Sequence, residues 1–111
     1  QTIILPVNQS DVEATWASAL ADTLCGEEEV RVTYGRVDVL TDSLAIEVDR
    51  FAKYHEGIGQ AIHYRVETNR QGAVALMIDK GEINVDKAQY IYEKLCLPLG
   101  LDFIILEAEF K

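Results

Sequence analysis

Two acidic residues near the middle of the chain have a spacing that would bring them together in a tight hairpin. Counting outward from a loop at residues 42–43 places Asp38 opposite Glu47. Directly opposed side chains have Cβ atoms about 5 Å apart, so two like charges there are destabilising. A proton shared between the acids or a divalent cation bound by both would neutralise them, and we favour the cation. The predicted cross-strand pairs are Leu40–Ala45, Val39–Ile46 and Asp38–Glu47.

The apolar residues around these acids indicate which face of the hairpin the acids occupy. Four of them alternate with the acids, and we expect them to cover the opposite face of a half-buried hairpin. These four residues are Val37, Val39, Ile46 and Val48. Two alternatives stay open. In the first alternative, the acids point into solvent from an edge hairpin. In the second, a loop one residue longer shifts the register and places Asp38 opposite Ile46.

The order of motifs around these acids resembles the PD-(D/E)xK nuclease superfamily, most closely its small bacterial members of RecB-like type. An acid follows a Gly-Arg-Val strand start, and an apolar strand then ends in Glu-x-charged. The next segment carries Gln60 and Tyr64 in a Gln-x-x-x-Tyr pattern typical of a helix. The resemblance covers residues 10–80 and implies a restriction-endonuclease-like αβββαβ core with a mixed sheet.

The resemblance also implies an activity and a set of site residues. The activity would be hydrolysis of phosphodiester bonds in nucleic acid, in DNA rather than RNA, with Mg²⁺ or Mn²⁺ as cofactor. Asp38 and Glu47 would hold the metal, helped by the backbone carbonyl of Val48. Gln60 and Tyr64 would flank the substrate phosphate.

One position departs from the family pattern, because Asp49 stands where the lysine normally follows two residues after the glutamate. Under the predicted register Asp49 lies across from Arg36, which predicts a cross-strand ion pair. The alternative is a third carboxylate near the metal. Lys53, four residues further along, has a stem long enough to reach back, as the resemblance implies for members in which the lysine has migrated. The other interpretation of Lys53 is a solvated side chain at a helix start.

Two helices are predicted to flank the hairpin. Ser10 and Glu13 have the Ser-x-x-Glu spacing of a capping box, which predicts a first helix that ends near Cys25-Gly26. The resemblance offers Glu13 a second role, in which it points at the metal. The second helix spans residues 56–69, and its Gly57 and Gly59 suggest a close approach to the sheet or to a ligand. A buried stripe is predicted at Ile58, Ala61, Ile62 and Val66, beside a polar stripe at Lys53, Glu56, Gln60 and Tyr64.

The complete predicted order of elements is αβββαβαβ, an α/β fold with a mixed sheet and a C-terminal α-β extension. An apolar run at Ala73–Ile78 suits a central strand covered on both faces. Flanking strands are predicted at Val30–Tyr34 and Leu101–Leu106, with a third helix around Ala88 and Ile91. At 111 residues, a single domain over residues 1–111 is expected.

The formal net charge of −9 opposes nucleic-acid binding, which normally uses a basic face. Bound divalent ions and a polarised charge distribution would soften this opposition, and a homodimer or an accessory protein would supply DNA affinity. Two other functions stay open, a catalytically silent nuclease-fold binding module in which Asp49 replaces the lysine, and an acidic decoy for a basic protein. Basic residues near the predicted site are Arg36, Arg50, Lys53, Arg65 and Arg70.

Cysteine content and hydropathy bear on the compartment. Cys25 and Cys96 both lie at apolar helix ends, which predicts two buried thiols, although one disulfide is allowed. If Gln1 is a mature N-terminus, an exported or periplasmic protein is expected, and otherwise a cytoplasmic one. No apolar run approaches the roughly 20 residues that span a bilayer, so no membrane partner is expected.

Overall fold

The computed structural model describes residues 1–78 and 83–111 and shows an α/β architecture of three layers. Six strands form one sheet, one helix covers one face, and further helical segments cover the other. The strands are β1 (Thr2–Asn8), β2 (Glu27–Val32), β3 (Gly35–Leu40), β4 (Leu44–Arg50), β5 (Gln71–Met77) and β6 (Asp102–Phe110). The helices are α1 (Glu13–Leu24), a 3₁₀ turn (Phe51–Lys53), α2 (Tyr54–Thr68), and α3 (Val85–Tyr90), which continues as a π-helical segment (Ile91–Cys96).

The sheet is mixed, as predicted, with the strand order β1-β6-β5-β4-β3-β2. The four strands β1, β6, β5 and β4 run parallel to their neighbours, whereas β3 and β2 are antiparallel additions at one edge. Parallel neighbours need crossover connections, and α2 and α3 supply them between β4 and β5 and between β5 and β6. The site described below lies where β4, the outermost parallel strand, meets β3.

Strand β1 is an element that the sequence analysis did not predict. Its Leu5 and Val7 are buried against α1, while Ile4 is largely exposed, which is the alternation expected of a strand. Pro6 interrupts the apolar run and argues against a central strand, since proline cannot donate to a ladder. The edge position of β1, which pairs with β6, tolerates Pro6, and the register shifts between Leu5 and Asn8 around it.

The interior of the sheet follows the predicted apolar pattern. Strand β5 lies between β4 and β6, and its residues from 72 to 77 are buried, which confirms the expectation of a central strand covered on both faces. Side chains at 73, 75 and 77 join the core under α1, which includes Trp16 and Leu20. Side chains at 74 and 76 join the core under α2 and the π-helical segment, which includes Ile58 and Ile91.

Helix α2 sits closer to the sheet than an ordinary side chain would allow. A Cβ added to Gly57 would lie 2.9 Å from Cγ2 of Val74 in β5, so the absent side chain sets the helix–sheet distance. The predicted close approach is therefore confirmed at Gly57. An approach to the sheet is wrong at Gly59, which is exposed and would meet no protein atom within 4 Å, and an approach to a ligand there stays a prediction. The predicted buried stripe is also rotated, because Val66 is 71 % exposed whereas Tyr64 is buried.

Other details of the chain differ from expectation. Both cysteines are free thiols, and Cys96 is buried as predicted, but Cys25 is exposed because it forms the left-handed C-cap of α1 with φ of 55°. The strand predicted at Val30–Tyr34 begins and ends earlier, since Tyr34 lies in a turn with φ of 59°. Within residues 1–78 and 83–111, no helix combines the length and apolar character needed to cross a membrane.

The two glycines of α2 form a matched pair for a test of this packing. We expect Gly59→Ala to raise the free energy of unfolding by about 1 kcal/mol, the usual gain in helix propensity at an exposed site. Gly57→Ala makes the same propensity gain but forces a methyl group against buried Val74, and overpacking costs about 1–3 kcal/mol. Urea denaturation of both variants measures the difference, and equal stabilisation by both would contradict the close approach.

Candidate carboxylate site

The hairpin between β3 and β4 has the predicted register at its closed end. Val39 pairs with Ile46, and Leu40 pairs with Ala45. Thr41 closes the turn, where its backbone N–H donates to the carbonyl of Leu44 and its hydroxyl accepts from the N–H of Leu44, both at 2.9 Å. The assumed loop is thus confirmed, and the alternative register with Asp38 opposite Ile46 is wrong.

Beyond Val39 the two strands separate, and Asp38 lies at the fork. Its Oδ2 accepts a hydrogen bond of 2.8 Å from the backbone N–H of Val48, so a side chain takes a donor that a strand neighbour would otherwise pair. On the other side of β3, the ladder with β2 pairs Val39 with Glu28 and Val37 with Val30. Glu29, between those two β2 residues, has φ of 51°, which marks a local distortion.

The fork changes which face Val37 covers. Val39, Ile46 and Val48 belong to the core under α1, on the face opposite Glu47 as predicted, although Asp38 lines a groove on the α1 side. Val37 instead packs with Ala45 and Tyr64 on the α2 side, so its predicted placement is wrong. The physical reason is the local distortion at Asp38, which breaks the two-residue alternation that the prediction assumed.

Glu47 lies at the centre of the site. It is 5 % exposed, and its carboxyl group hydrogen-bonds to the carboxylate of Asp38 and accepts from the hydroxyl of Tyr64. The side chain of Gln60 also faces it, and with the amide oriented to donate, Nε2 lies 3.1 Å from Oε1 of Glu47. Burial first, and then the neighbouring Asp38, raises the pKa of Glu47 to about 10. At neutral pH the metal-free protein therefore keeps a proton on Glu47.

The two α2 residues of the Gln-x-x-x-Tyr pattern both reach Glu47, as their shared helix face predicts. Tyr64 is buried, and burial together with the negative charges of Glu47 and Asp38 raises the pKa of its hydroxyl. Gln60 is exposed apart from its contact with Glu47. Both side chains act on the carboxylate, and their predicted placement beside a substrate phosphate stays a prediction.

Glu13 is part of this site and does not form the predicted capping box. Helix α1 begins at Glu13 itself, and the N-cap residue is Val12, without a side-chain hydrogen bond to the helix end. The prediction that Ser10 and Glu13 cap each other is therefore wrong. Burial and the negative charges of Asp49 and Asp38 raise the pKa of Glu13, which places its carboxylate within electrostatic range of the fork.

Asp49 is buried at 7 % exposure, two residues after Glu47 on β4. Its Oδ1 accepts a hydrogen bond of 2.9 Å from the backbone N–H of Arg50. Burial raises the pKa of Asp49, with Glu56 adding to the shift, so Glu56 is a neighbour that the sequence analysis did not include in the site. The sequence did carry a signal for this neighbour, because Glu56 lies about one helical turn after Lys53, which was a candidate site residue.

The predicted ion pair between Asp49 and Arg36 does not form. Pairing of β3 with β4 ends near the turn, so the ladder does not extend far enough to place Arg36 opposite Asp49. Arg36 instead approaches Glu29, with Nη2 3.7 Å from Oε1. Asp49 is thus an additional acid within electrostatic range of Asp38, and its role as a third carboxylate near a metal stays a prediction.

Two cations lie beside these acids. The positive charge of Lys53, at the end of the 3₁₀ turn, lowers the pKa values of Glu13 and Asp49 and so offsets part of their upward shift. Arg50 acts in the same way on Glu13. Lys53 therefore lies close enough to interact with Glu13 of α1 and with Asp49 of β4.

A groove opens from the fork between α1 and the antiparallel strands. It has a volume of about 330 Å³, and both Glu13 and Asp38 contribute to its wall. Glu47 is not among the residues that line it. The lining residues are Glu13, Ala14, Ala17, Glu28, Glu29, Arg36 and Asp38.

The donor set of the site fits a hard divalent cation with few protein ligands. In the part of the chain that the structure describes, no three His, Cys, Asp or Glu side chains form a metal-binding group. Asp38 and Glu47 do meet, and Mg²⁺ commonly binds through one or two carboxylates while keeping several waters or substrate oxygens. A cation would take the place of the proton that Glu47 now keeps. The carbonyl of Val48 as a further ligand stays a prediction.

Comparison with known proteins adds no independent identification. No protein-family model matches the sequence, and no match was found among curated proteins or among solved structures. The resemblance to the PD-(D/E)xK superfamily therefore stays a prediction from the order of the motifs.

The buried acid predicts a pH dependence of stability. Between the unfolded pKa of 4.5 and the folded pKa of about 10, Glu47 keeps its proton only in the folded protein. Unfolding then releases a proton, so the free energy of unfolding falls as pH rises, by at most about 1.4 kcal/mol per pH unit for one group. The pKa values of Glu13 and Asp49 are also raised in the folded protein, so these two acids also make the free energy of unfolding fall as pH rises. We expect stability to fall from pH 5 to pH 9.

Glu47→Gln removes the largest part of this effect, because an amide stays neutral and can still hydrogen-bond. The free energy of unfolding of this variant, relative to that of the wild type, should increase with pH. Urea denaturation in chelator measures this difference. Glu109→Gln, a change at an exposed acid, is the control and should leave the slope unchanged. A stability curve that is flat in the wild type would contradict a buried, protonated Glu47.

Proposed function

We propose that this chain has a restriction-endonuclease-like fold and acts as a metal-dependent phosphodiesterase on nucleic acid. The observation that carries the proposal is the contact between the Asp38 and Glu47 carboxyl groups at the β3–β4 fork, with Gln60 and Tyr64 both directed at Glu47. Motif order alone does not require these four side chains to meet. Their meeting at one point agrees with the site that the resemblance implies.

Each residue has a distinct task in this proposal. Asp38 and Glu47 bind the cation, and Val48 holds Asp38 in place through its N–H. Tyr64 and Gln60 donate hydrogen bonds that orient the Glu47 carboxylate once its proton has left, because both are donors toward it. When bound, Mg²⁺ or Mn²⁺ supplies a Lewis acid for a phosphoryl oxygen and lowers the pKa of a coordinated water.

Lys53 is the residue that takes the place of the missing lysine. A cation near the scissile phosphate stabilises charge that develops in the transition state. Lys53 approaches the site from the turn after β4, where it interacts with Glu13 and Asp49, so an ammonium group is available although Asp49 occupies the usual position. Glu13 is positioned to bind water or metal from the α1 side.

The buried Asp49 also supports a second candidate, a catalytically silent binding module. A carboxylate at the lysine position adds negative charge beside the fork instead of removing it. The basic side chains also favour this second candidate. Of the five arginines and lysines that the sequence predicted near the site, two donate hydrogen bonds to backbone carbonyls of the fold. Arg65 donates to the carbonyl of Leu99 and Arg70 donates to the carbonyl of Thr41.

A cleavage assay separates the two candidates. Plasmid and single-stranded DNA are incubated with the protein in Mn²⁺ and in chelator, and we expect cleavage in Mn²⁺ alone. Asp38→Asn should reduce the rate at least about 100-fold, since a catalytic metal supplies several kcal/mol of charge stabilisation. Lys53→Met should reduce it about 100-fold or more while metal binding persists, since it removes one charge-stabilising donor.

Matched variants make the result specific. Asp22→Asn removes an exposed acid from α1 and should cleave like the wild type. Cleavage that persists in chelator and in Asp38→Asn identifies a contaminant. If no metal-dependent cleavage is seen but Asp49→Lys acquires it, the chain is the silent module.

Metal binding is measured separately by calorimetry, and it should release a proton. Glu47 is protonated at neutral pH and must ionise to bind a cation, so affinity for Mg²⁺ or Mn²⁺ should rise with pH up to about 10. Titrations in two buffers of different ionisation enthalpy count the released protons, and we expect close to one per metal. Affinity that does not depend on pH would show that Glu47 is not a ligand.

A further inference from the structure

The hairpin of β2 and β3 ends in a fully exposed aromatic side chain. Tyr34 is 98 % exposed, and it lies in a two-residue turn between Val32 and Gly35. Its φ of 59° is a left-handed conformation that a bulky residue rarely adopts. Glycine or asparagine would satisfy this turn at lower cost, so neither burial nor backbone preference accounts for a tyrosine here.

Helix α2 holds the tip of this hairpin in place. Both backbone groups of Thr33 are bound, because its N–H donates to Oε1 of Glu67 and its carbonyl accepts from Nε2 of His63, each at 2.9 Å. A carbonyl only accepts, so His63 carries its proton on Nε2. Tyr34 is therefore presented from a braced turn, and α2 is the same helix that directs Gln60 and Tyr64 at the metal site.

Two arginines face each other just behind the tip. Arg31 of β2 is paired directly with Arg36 of β3, and both side chains are exposed. Opposed like charges in a sheet are destabilising, so an anion between or beside them would be favoured. Arg36 is only partly compensated by Glu29, at 3.7 Å on the surface. In a chain of net charge −9, this pair forms a local basic surface.

The same strand links this surface to the carboxylate site. Arg36 lines the groove that also contains Asp38, two residues further along β3 and about 7 Å away at the rise of a strand. Its positive charge also lowers the pKa of Tyr64 and so offsets part of the upward shift there. Arg36 is therefore the member of the arginine pair that borders the groove, whose other charged lining residues are all acids.

We propose that Arg31, Tyr34 and Arg36, which we name the hairpin grip, bind a single nucleic-acid strand at the tip of the β2–β3 hairpin. A protruding aromatic ring stacks on a base regardless of sequence, and the paired guanidinium groups bind backbone phosphates. The identity of the ligand rests on the proposed function, whereas the grip acts without metal and without cleavage.

The grip is tested by binding in chelator, where cleavage does not occur. Fluorescence anisotropy follows a labelled oligo-dT strand of roughly 16 nucleotides, about the largest site size of a single binding fold. Tyr34→Asn removes the ring but tolerates the left-handed turn, so the variant should fold at least as stably as the wild type. We expect its affinity to fall by roughly 5- to 100-fold, the range for loss of one stacked base.

Control variants keep this measurement specific. Tyr34→Phe retains the ring and should bind like the wild type, which excludes a role for the hydroxyl group. Tyr90→Asn removes another exposed tyrosine, on α3, and should also leave binding unchanged. Thermal unfolding of each variant confirms that the fold persists. Equal losses in the Tyr34 and Tyr90 variants would overturn the proposal.

The arginine pair is tested through salt dependence and through its partner. Each phosphate contact to a single strand contributes about −0.7 to the slope of log affinity against log salt, so Arg31→Gln should make the slope shallower by about that amount. Lys94→Gln, an exposed cation on the π-helical segment, should leave the slope unchanged. Glu29→Gln frees Arg36 from its surface ion pair and should increase affinity.

The outcomes separate the grip from the proposed catalysis. If Tyr34→Asn weakens binding although no variant cleaves DNA, the grip is supported and the nuclease function fails. If the wild type cleaves in Mn²⁺ but Tyr34→Asn binds and cleaves normally, the grip is overturned and the function stands. Failure of the wild type to bind oligo-dT at low salt also overturns the grip and leaves a protein partner as the occupant of the exposed tyrosine.

Discussion

The structure of the site depends on one electrostatic constraint, the burial of the Glu47 carboxyl group against Asp38. Two carboxylates in contact in a low-dielectric environment cannot both be charged without a counter-charge. The metal-free protein meets the constraint by retaining a proton, which is why the pKa of Glu47 rises to about 10. A divalent cation would meet the same constraint and keep both acids ionised, so metal occupancy and protonation are alternative states of one pair.

The fold creates this pair by separating two strands that are joined at their turn. Thr41 and the Val39–Ile46 pair close the hairpin, and Asp38 then accepts the Val48 N–H in the place where the ladder ends. Helix α2 completes the site from one side because Gly57 lets it lie close to β5, which brings Gln60 and Tyr64 within reach of Glu47. Helix α1 brings Glu13 from the other side.

Sequence patterns predicted the elements where periodicity and burial agree. The apolar run of β5, the hairpin register at its closed end and the shared face of Gln60 and Tyr64 follow from spacing alone, and these are confirmed. The predicted Asp38–Glu47 strand pair is not part of the ladder, because the strands separate beyond Val39. Strand β1 was missed because Pro6 argues against a ladder, and only its edge position makes that proline acceptable. The capping box failed because α1 begins later, which leaves Glu13 at the helix start for the site.

The sequence by itself determined the closed end of the hairpin and the shared helix face of Gln60 and Tyr64, because the two-residue and 3.6-residue periods fix these local relations. Tertiary structure decided the burial of the site residues, their pKa values and their charged neighbours. Only the packed layers bury Glu47 and raise its pKa, move Val37 to the α2 side, turn Arg36 away from Asp49 and bring Lys53 near the acids. Burial and long-range charge depend on neighbours far apart in the chain, and local spacing carries no information about them.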